Sequence, residues 1–226
     1  MSGDRAGRDV VEGLRSRVGP VVRSALARSS ALGFLGSMPV DAQIDHALGF
    51  VMILEERFGG APDSVVDLGT GGGVPGLVLI SCWPGARVVM LDAGERRTHF
   101  LEETVRGWPE AGGAQVIRGR AEELGRRPEL RERFAAATSR SFGVPSLTAE
   151  CGSAFLAEGG ALVVSEPPEG SSGERWPQEG LARVGLAAAA GARVSDRFGY
   201  QLLVKVGPLD DRYPRRVGIP AKRPLF

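Results

Sequence analysis

A carboxylate and a run of glycines stand close together in the first third of this 226-residue chain. Residues 65–76 read VVDLGTGGGVPG, in which Asp67 follows two β-branched residues and precedes Gly69, Gly71 and Gly73. Glycine lets the backbone turn sharply and approach a ligand, because it has no Cβ. Ligands of open α/β sheets bind where parallel strands end. The stretch therefore predicts a binding loop at the carboxyl end of a buried strand.

Two kinds of ligand are compatible with this loop. Gly71, Gly73 and Gly76 satisfy the pattern GxGxxG, which seats the pyrophosphate of a dinucleotide on a helix N-terminus. The longer pattern DxGxGxG, beginning at Asp67, resembles motif I of class I S-adenosylmethionine (SAM) methyltransferases. A carboxylate at Asp67 repels a pyrophosphate but suits the cationic methionine end of SAM. The acid therefore favours SAM, and a dinucleotide is the alternative.

A second acid follows the next apolar run. Residues 87–91 read RVVML and are followed by Asp92, about twenty residues after the glycines. An acid at that distance reaches ribose hydroxyls, so Asp92 indicates a nucleoside without choosing between SAM and a dinucleotide. The alternative interpretation is that Asp92 caps the helix beginning near Gly94.

Composition limits the remaining possibilities. The chain is 42% hydrophobic, and no apolar run approaches the length of a membrane span or a signal peptide, so we expect a cytoplasmic protein. Cys82, Cys151, His46 and His99 are scattered, which predicts no disulfide and no metal site. The formal net charge of +1 is uninformative, but basic residues gather before residue 31 and after Pro208. These two basic patches flank a neutral middle of the chain.

The apolar pattern predicts the elements around the loop. Helical spacing over residues 10–27 and 41–58 defines an N-terminal helical extension, residues 1–60. Residues 61–226 form one globular unit in which strands alternate with helices, which predicts a parallel sheet with helices on both faces. Strands are predicted at 65–67, 87–91, 115–118, 134–139, 161–165 and 201–206, helices at 76–82, 95–106, from 121, at 146–155 and at 181–190, and a mobile loop at 167–180. The predicted fold class is α/β, a Rossmann-like sheet of the class I SAM-dependent methyltransferases.

Four stretches carry a more specific resemblance. They are DLGTGGGVPG from Asp67, RRTHFL from Arg96, GRAEEL from Gly119 and TSRSF from Thr138, and the ending RYPRRVGIPAKRPL adds a basic, proline-containing tail. In these stretches the chain resembles the RsmG (GidB) family, which makes 7-methylguanosine in 16S ribosomal RNA (rRNA). The resemblance covers most of residues 65–165 and the tail.

The resemblance implies roles for particular residues. Gly69 and Val74 would line the SAM pocket, Ala121 and Glu122 would meet the adenosine end, and Arg140 would close the pocket near the methyl donor as the catalytic candidate. Glu122 can accept a hydrogen bond from adenine, or it is simply a first-turn acid favourable to the helix dipole. Arg140 can hold the methionine carboxylate or an RNA phosphate bidentately, or it forms only a surface ion pair.

The chain also departs from the family pattern. The family's Asn-Leu-Thr and Asp-Ser elements are missing before motif I, and only His46 matches there. We expect His46 to be a partly buried helix residue making one hydrogen bond. After the fifth strand the family's Lys-Gly is replaced by Ser165, Glu166, Pro167 and Pro168. An acid in place of a cation weakens phosphate binding.

The resemblance therefore implies a SAM-dependent methyltransferase acting on the seven-position nitrogen of guanine in 16S rRNA or in the small ribosomal subunit, and we expect a monomer. The basic termini would then supply sequence-independent contacts to RNA phosphates. That nitrogen has a free lone pair and no proton, so the reaction needs positioning rather than a general base. The absence of an N/D-P-P-Y/F motif argues against methylation of an exocyclic amine. Two alternatives remain: a small-molecule methyltransferase with residues 167–180 as a lid, and a non-catalytic RNA-binding relative.

Overall fold

The computed structural model describes residues 13–167, 175–189, 192–195 and 198–226. The start of the first predicted helix and most of the predicted loop at 167–180 lie outside the described residues.

Eight helices and eight strands, numbered here in chain order, organise the described residues. The helices are α1 (Pro20–Ala31), α2 (Val40–Phe58), α3 (Gly76–Cys82), α4 (Glu95–Arg106), α5 (Ala121–Leu124), α6 (Pro145–Ser153), α7 (Gln178–Ala182) and α8 (Ile219–Lys222), with a 3₁₀ turn at Pro109–Ala111. The strands are β1 (Ser64–Leu68), β2 (Arg87–Asp92), β3 (Ala114–Arg118), β4 (Phe134–Ser139), β5 (Leu156–Glu166), β6 (Leu186–Ala188), β7 (Ala192–Ser195) and β8 (Phe198–Lys205).

The strands form one sheet in the order β3-β2-β1-β4-β5-β8-β6, with β7 also paired to β8. Strands β1 to β5 are parallel, and β8 is antiparallel to β5. The strand order reverses between β1 and β4, so the loops after these strands diverge and leave a crevice at their carboxyl ends. The register pairs Asp67 with Met90 on one side and with Thr138 on the other.

Alternate side chains along the strands pack into two hydrophobic layers, one on each face of the sheet. In β1, Val65 packs into the layer that contains α1, α2 and α3, whereas Val66 and Leu68 pack into the layer that contains α6 and α7. This is the period-2 pattern of a sheet covered on both faces. Leu48 and Phe50 of α2 are fully buried in the first layer. The N-terminal helices therefore share a core with the sheet and bring α2 to the crevice.

The structure confirms the predicted fold class and corrects several elements. The helix predicted at 181–190 is wrong, because α7 ends at Ala182 and Leu186 begins β6, paired with Lys205. Gly185 causes the break: its φ is +67°, and a Cβ there would lie 2.4 Å from the Gly207 carbonyl oxygen. The helix predicted over residues 10–27 is interrupted, because residues 13–15 are helical, a turn follows, and α1 begins at Pro20. The sheet is mixed rather than wholly parallel.

None of the helices in the described part of the chain is long and apolar enough to cross a membrane.

Candidate functional site

A cavity of about 610 Å³ opens at the carboxyl ends of β1, β2 and β4. Its size falls in the range of about 300–1,000 Å³ typical of small-molecule and cofactor sites. Its walls include the loop between α1 and α2, the start of α2, the glycine loop after β1, and the segments after β2 and β4. The lining residues used below are Phe34, Met38, Gln43, His46, Gly69, Thr70, Gly71, Val74, Asp92, Arg97, Arg140, Ser141 and Phe142.

The glycine loop depends on backbone angles that other residues rarely adopt. Gly69, Gly71 and Gly73 have φ values of +64°, +57° and +99°. A Cβ on Gly71 would meet only two carbonyl oxygens, at 3.8 and 4.0 Å, so the loop is open to the cavity there. Gly73 instead faces the core, where a Cβ would lie 2.6 Å from Leu77 Cδ1. Of the predicted loop residues, Gly69, Gly71 and Val74 line the cavity.

Asp67 lies beneath the loop. Its side chain is fully buried, Oδ2 accepts a hydrogen bond from the Gly76 amide at 3.0 Å, and Oδ1 accepts one from the Thr138 hydroxyl at 2.9 Å. Burial raises the pKa of Asp67 to about 6, although these hydrogen bonds and the Arg140 charge oppose the shift. Asp67 therefore ties β1 to α3 and β4 under the cavity floor.

Asp92 lines the cavity and also holds its wall together. Oδ2 accepts a hydrogen bond from the Gly71 amide at 2.9 Å, and Oδ1 accepts from the Gly94 amide at 2.7 Å and from Arg97 Nε at 2.9 Å. The N-cap of α4 is Gly94 and receives no side-chain cap hydrogen bond, so Asp92 is not the helix cap of the alternative interpretation; it fixes the turn before α4. A carboxylate oxygen accepts more than one hydrogen bond, so Oδ2 keeps capacity for a ligand hydroxyl.

Ala121 and Glu122 border a smaller cavity of about 100 Å³ beside the first. Asp92 and Phe142 line both cavities. Glu122 is 8% exposed, and its Oε1 accepts a hydrogen bond from the Gly218 amide at 3.2 Å. Glu122 therefore faces the small cavity and also anchors the C-terminal tail.

Arg140 follows β4 directly and reaches the cavity from the side opposite Asp92. Its guanidinium donates a hydrogen bond to the Gln43 side-chain oxygen of α2. Burial lowers the pKa of Arg140, while the charges of Asp67 and Tyr200 oppose that shift. Arg140 is therefore a largely buried cation on the cavity wall rather than a member of a surface ion pair.

His46 differs from its sequence prediction. It is partly buried on α2, as expected, but both ring nitrogens are buried and make no hydrogen bond to the described residues. The imidazole stacks on Phe198 with ring centroids 4.6 Å apart and planes 6° from parallel. Burial, with the Arg140 charge, lowers the pKa of His46 to about 4. The ring is therefore neutral at physiological pH and cannot repel a cation.

A second cavity, of about 460 Å³, adjoins the first. Met38, His46, Ser141 and Phe142 line both cavities, so the two share a wall. Phe142 also borders the small cavity near Glu122, and its Cδ2 would lie 2.7 Å from a Cβ on Gly69. Sequence reasoning did not single out Phe142, and its position in the TSRSF stretch is the signal that points to it.

Three arginines of the predicted basic termini form partly buried ion pairs within the protein. Arg15 pairs with Asp45 at 2.6 Å, and Arg17 pairs with Glu55 at 2.7 Å. In the tail, Arg215 pairs with the fully buried Glu150 at 2.7 Å. These three arginines fasten the terminal segments to the core. Arg216 and Arg223 of the tail are exposed, and contact between the termini and RNA phosphates stays a prediction.

The scattered cysteines and histidines form no centre of their own. Cys82 and Cys151 are buried free thiols whose pKa values burial raises, and His99 lies on α4 near Glu103 at 3.4 Å. Within the ranges that the structure covers, no group of three or more His, Cys, Asp or Glu side chains is arranged to hold a metal ion.

Solved structures of other proteins share the fold of this chain. A putative sarcosine dimethylglycine methyltransferase from Galdieria sulphuraria superposes with a TM-score of 0.57 at 12% identity, covering 71% of this chain and 85% of that chain. A putative O-methyltransferase from Klebsiella pneumoniae gives a TM-score of 0.56 at 11% identity, covering 84% of this chain and 91% of that chain. The fold is that of the class I SAM-dependent methyltransferases.

Sequence comparison identifies the family to which the chain belongs. The family model described as GidB, rRNA small subunit methyltransferase G, matches residues 43–166. A ribosomal RNA small subunit methyltransferase G from Symbiobacterium thermophilum is 34% identical over an alignment of 202 residues. The alignment covers 83% of this chain and 80% of the relative. The counterpart from Leuconostoc mesenteroides is 31% identical over 185 residues, covering 77% of this chain and 74% of the relative. The chain belongs to the rRNA small subunit methyltransferase G family.

Proposed function

We propose that this protein transfers a methyl group from SAM to the seven-position nitrogen of a guanine in 16S rRNA. The observation that carries the proposal is the pair of adjoining cavities at the carboxyl edge of β1, β2 and β4, in a chain of this family. One cavity has the size and acid placement for a nucleoside methyl donor, and the other leaves room beside it for an acceptor base.

The residues of the first cavity fit SAM. Gly71 leaves an open cradle in the loop, and Asp92 and Glu122 place carboxylates along one side, where ribose hydroxyls and an adenine amino group can donate hydrogen bonds. Gly69 and Val74 would border the methionine end, and Ala121 would contact the adenine. When bound, SAM supplies an electrophilic methyl group on a sulfonium.

Arg140 and Asp67 would act at the methionine end in different ways. Arg140 is held by Gln43 on the cavity wall, from which its guanidinium can bind a carboxylate or a phosphate bidentately. Asp67 would act from beneath by fixing the loop through Gly76 and by contributing negative potential under a cationic ligand. Gly73 would support the loop from its core side.

The proposed reaction requires no proton transfer by the side chains. The lone pair of the guanine nitrogen forms the new bond to the methyl carbon, the bond from carbon to sulfur breaks, and its electron pair returns to sulfur. No proton moves, so no general base is required, and the neutral ring of His46 does not repel the charge that develops on guanine. Positioning and exclusion of water supply the rate enhancement.

Calorimetry measures which cofactor binds, and transfer of a labelled methyl group shows which molecule is methylated. We expect SAM to bind and a nicotinamide dinucleotide not to bind. We then expect tritium from methyl-labelled SAM to enter 16S rRNA of small subunits from a strain that lacks this protein. Label in small molecules of the cell extract would instead indicate a small-molecule methyltransferase. SAM binding without transfer to any acceptor would indicate the non-catalytic relative.

A further inference from the structure

The second cavity contains an unusual concentration of unsatisfied polar groups. Among buried side-chain nitrogen and oxygen atoms without a hydrogen-bond partner in the described ranges, every one except Thr70 Oγ1 belongs to a residue lining this cavity. They include Ser139 Oγ, Glu166 Oε1 and Trp176 Nε1, as well as both ring nitrogens of His46. Buried polar groups are normally hydrogen-bonded, because leaving them unpaired is costly. The cavity is therefore built for a ligand that pairs with them.

Glu166 is the only one of these groups that carries a negative charge. It ends β5, its side chain is 13% exposed, and Arg175 Nε lies 2.7 Å from its Oε2. Oε1 has no hydrogen-bond partner in the part of the chain that the structure describes. Burial raises the pKa of Glu166, although the Arg175 charge opposes the shift. With Arg175 beside Oε2, the carboxylate presents Oε1 and the remaining lone pair of Oε2 as acceptors.

Donor groups and flat apolar walls accompany the carboxylate. Trp176 and Ser139 are 3% and 1% exposed, and neither the indole N–H nor the hydroxyl makes a hydrogen bond to the described residues. The Trp176 indole is close enough to lower the pKa of Glu166, yet it is aligned with no acceptor among the described residues. Phe142 and Phe198 supply aromatic surface on the same cavity wall. The ligand should therefore be planar, with adjacent donors and an acceptor next to them.

We propose that this cavity holds the guanine that is methylated and that Glu166 reads its Watson–Crick edge. This inference rests on the proposed function and names the residue that selects the base. Guanine places two donors, N1–H and the N2 amino group, side by side for a carboxylate, with the O6 acceptor next to them. The indole N–H of Trp176 or the hydroxyl of Ser139 donates to O6.

The other bases do not satisfy the same set of groups. Adenine turns its N1 acceptor toward the carboxylate, and the pyrimidines offer a single donor on that edge. A phosphate would bring a second negative charge against Glu166. Guanine held in this way keeps its seven-position nitrogen free, because that atom lies on a different edge of the purine. His46 and Phe142 line both cavities, so a base in the second cavity lies next to the first cavity where the two meet.

Replacement of guanosine by inosine removes only the N2 amino group and therefore tests the contact directly. Small subunits are reconstituted with guanosine or inosine at the methylated position, and single-turnover methyl transfer is measured for each. We expect the wild-type protein to favour guanosine by roughly tenfold to one hundredfold, as for loss of a hydrogen bond to a charged group. In Glu166→Gln we expect the preference to shrink to about threefold or less.

A matched variant controls for the change in charge. Glu158→Gln alters an exposed acid on the same strand and should keep the wild-type preference. If Glu166→Gln does not fold, Glu166→Asp, which keeps the carboxylate but withdraws it, should lower the preference in part. Equal rates on guanosine and inosine with the wild-type protein would overturn the inference, as would an unchanged preference in Glu166→Gln. A wild-type protein that methylates neither subunit would instead overturn the proposed function.

Discussion

At the residue scale, the two aspartates that precede and follow the glycines have different tasks. Asp67 is buried under the loop and bonds to Gly76 and Thr138, whereas Asp92 reaches the cavity wall and bonds to Gly71. Sequence spacing predicted both acids at the same sheet edge. It could not predict which one would face the cavity, because that depends on how the loop folds back over β1.

The backbone of Gly71 gives the first prediction. Gly71→Ala places a methyl group in the cavity at φ +57°, and Gly59→Ala, at φ +72° with no neighbour within 4 Å, is its matched control. Each variant should lose about 1 kcal/mol of unfolding free energy, because a left-handed conformation disfavours a Cβ. Only Gly71→Ala should also weaken SAM binding, by about tenfold or more, when measured by calorimetry. Equal SAM affinities in the two variants would show that the loop does not contact the ligand.

The burial of Asp67 gives the second prediction. Its folded pKa of about 6 exceeds its ordinary value of 3.8, so the folded state binds the proton more tightly than the unfolded state does. The stabilisation from Asp67 is therefore complete below about pH 4 and is lost as the pH rises through about 6. Asp67→Asn does not titrate, so its unfolding free energy relative to wild type should rise by up to about 3 kcal/mol across this window. Urea denaturation at several pH values measures the difference in unfolding free energy between the two proteins. A difference that does not change with pH would contradict the raised pKa of Asp67.

At the element scale, buried ion pairs fasten the terminal segments. Arg215 of the tail bonds bidentately to Glu150 of α6, with its backbone amide also donating to Glu150 Oε1 at 2.7 Å. Arg126 donates to the carbonyl oxygens of Arg212 and Pro214 at 2.8 and 2.7 Å. The tail therefore lies against α5 and α6, next to the small cavity bordered by Glu122.

Removing the buried acid should release the tail. Glu150→Gln leaves the Arg215 guanidinium without its counter-charge, and loss of one partner of a buried pair costs about 3–5 kcal/mol. The control Glu103→Gln breaks an exposed pair with Arg28, whose atoms lie 3.3 Å apart, and should cost less than about 1 kcal/mol. Urea denaturation compares the two variants. Similar losses in both would mean that the tail contributes little to the stability of the fold.

The sequence predicted the elements on either side of the glycine loop better than those after Gly180. Helices α2, α3 and α4 and strands β1 to β4 were predicted close to their observed bounds, since their apolar spacing repeats over several turns or pleats. The region after Gly180 was not, because an alanine-rich run has a high helix propensity but forms strands here through pairing with β8. Pairing with a distant strand is a tertiary effect that local propensity does not contain.

At the scale of the whole molecule, the site is assembled from distant parts of the chain. The loop before α2, the glycine loop, the segment after β4 and the end of β5 converge on Phe142, which borders all three cavities. The sequence identified the nucleoside side of this assembly from the glycines and acids. The second cavity escaped prediction because His46, Glu166 and Trp176 are far apart in sequence and meet only in the folded chain.

The most direct measurement maps methylated guanines in 16S rRNA by mass spectrometry, with and without this protein. We compare rRNA from wild-type cells, from cells that lack the protein, and from the latter after treatment with the purified protein and SAM. The account predicts that one 7-methylguanosine disappears in the deletion strain and returns after treatment. Identical methylation in the wild-type and deletion strains would contradict it.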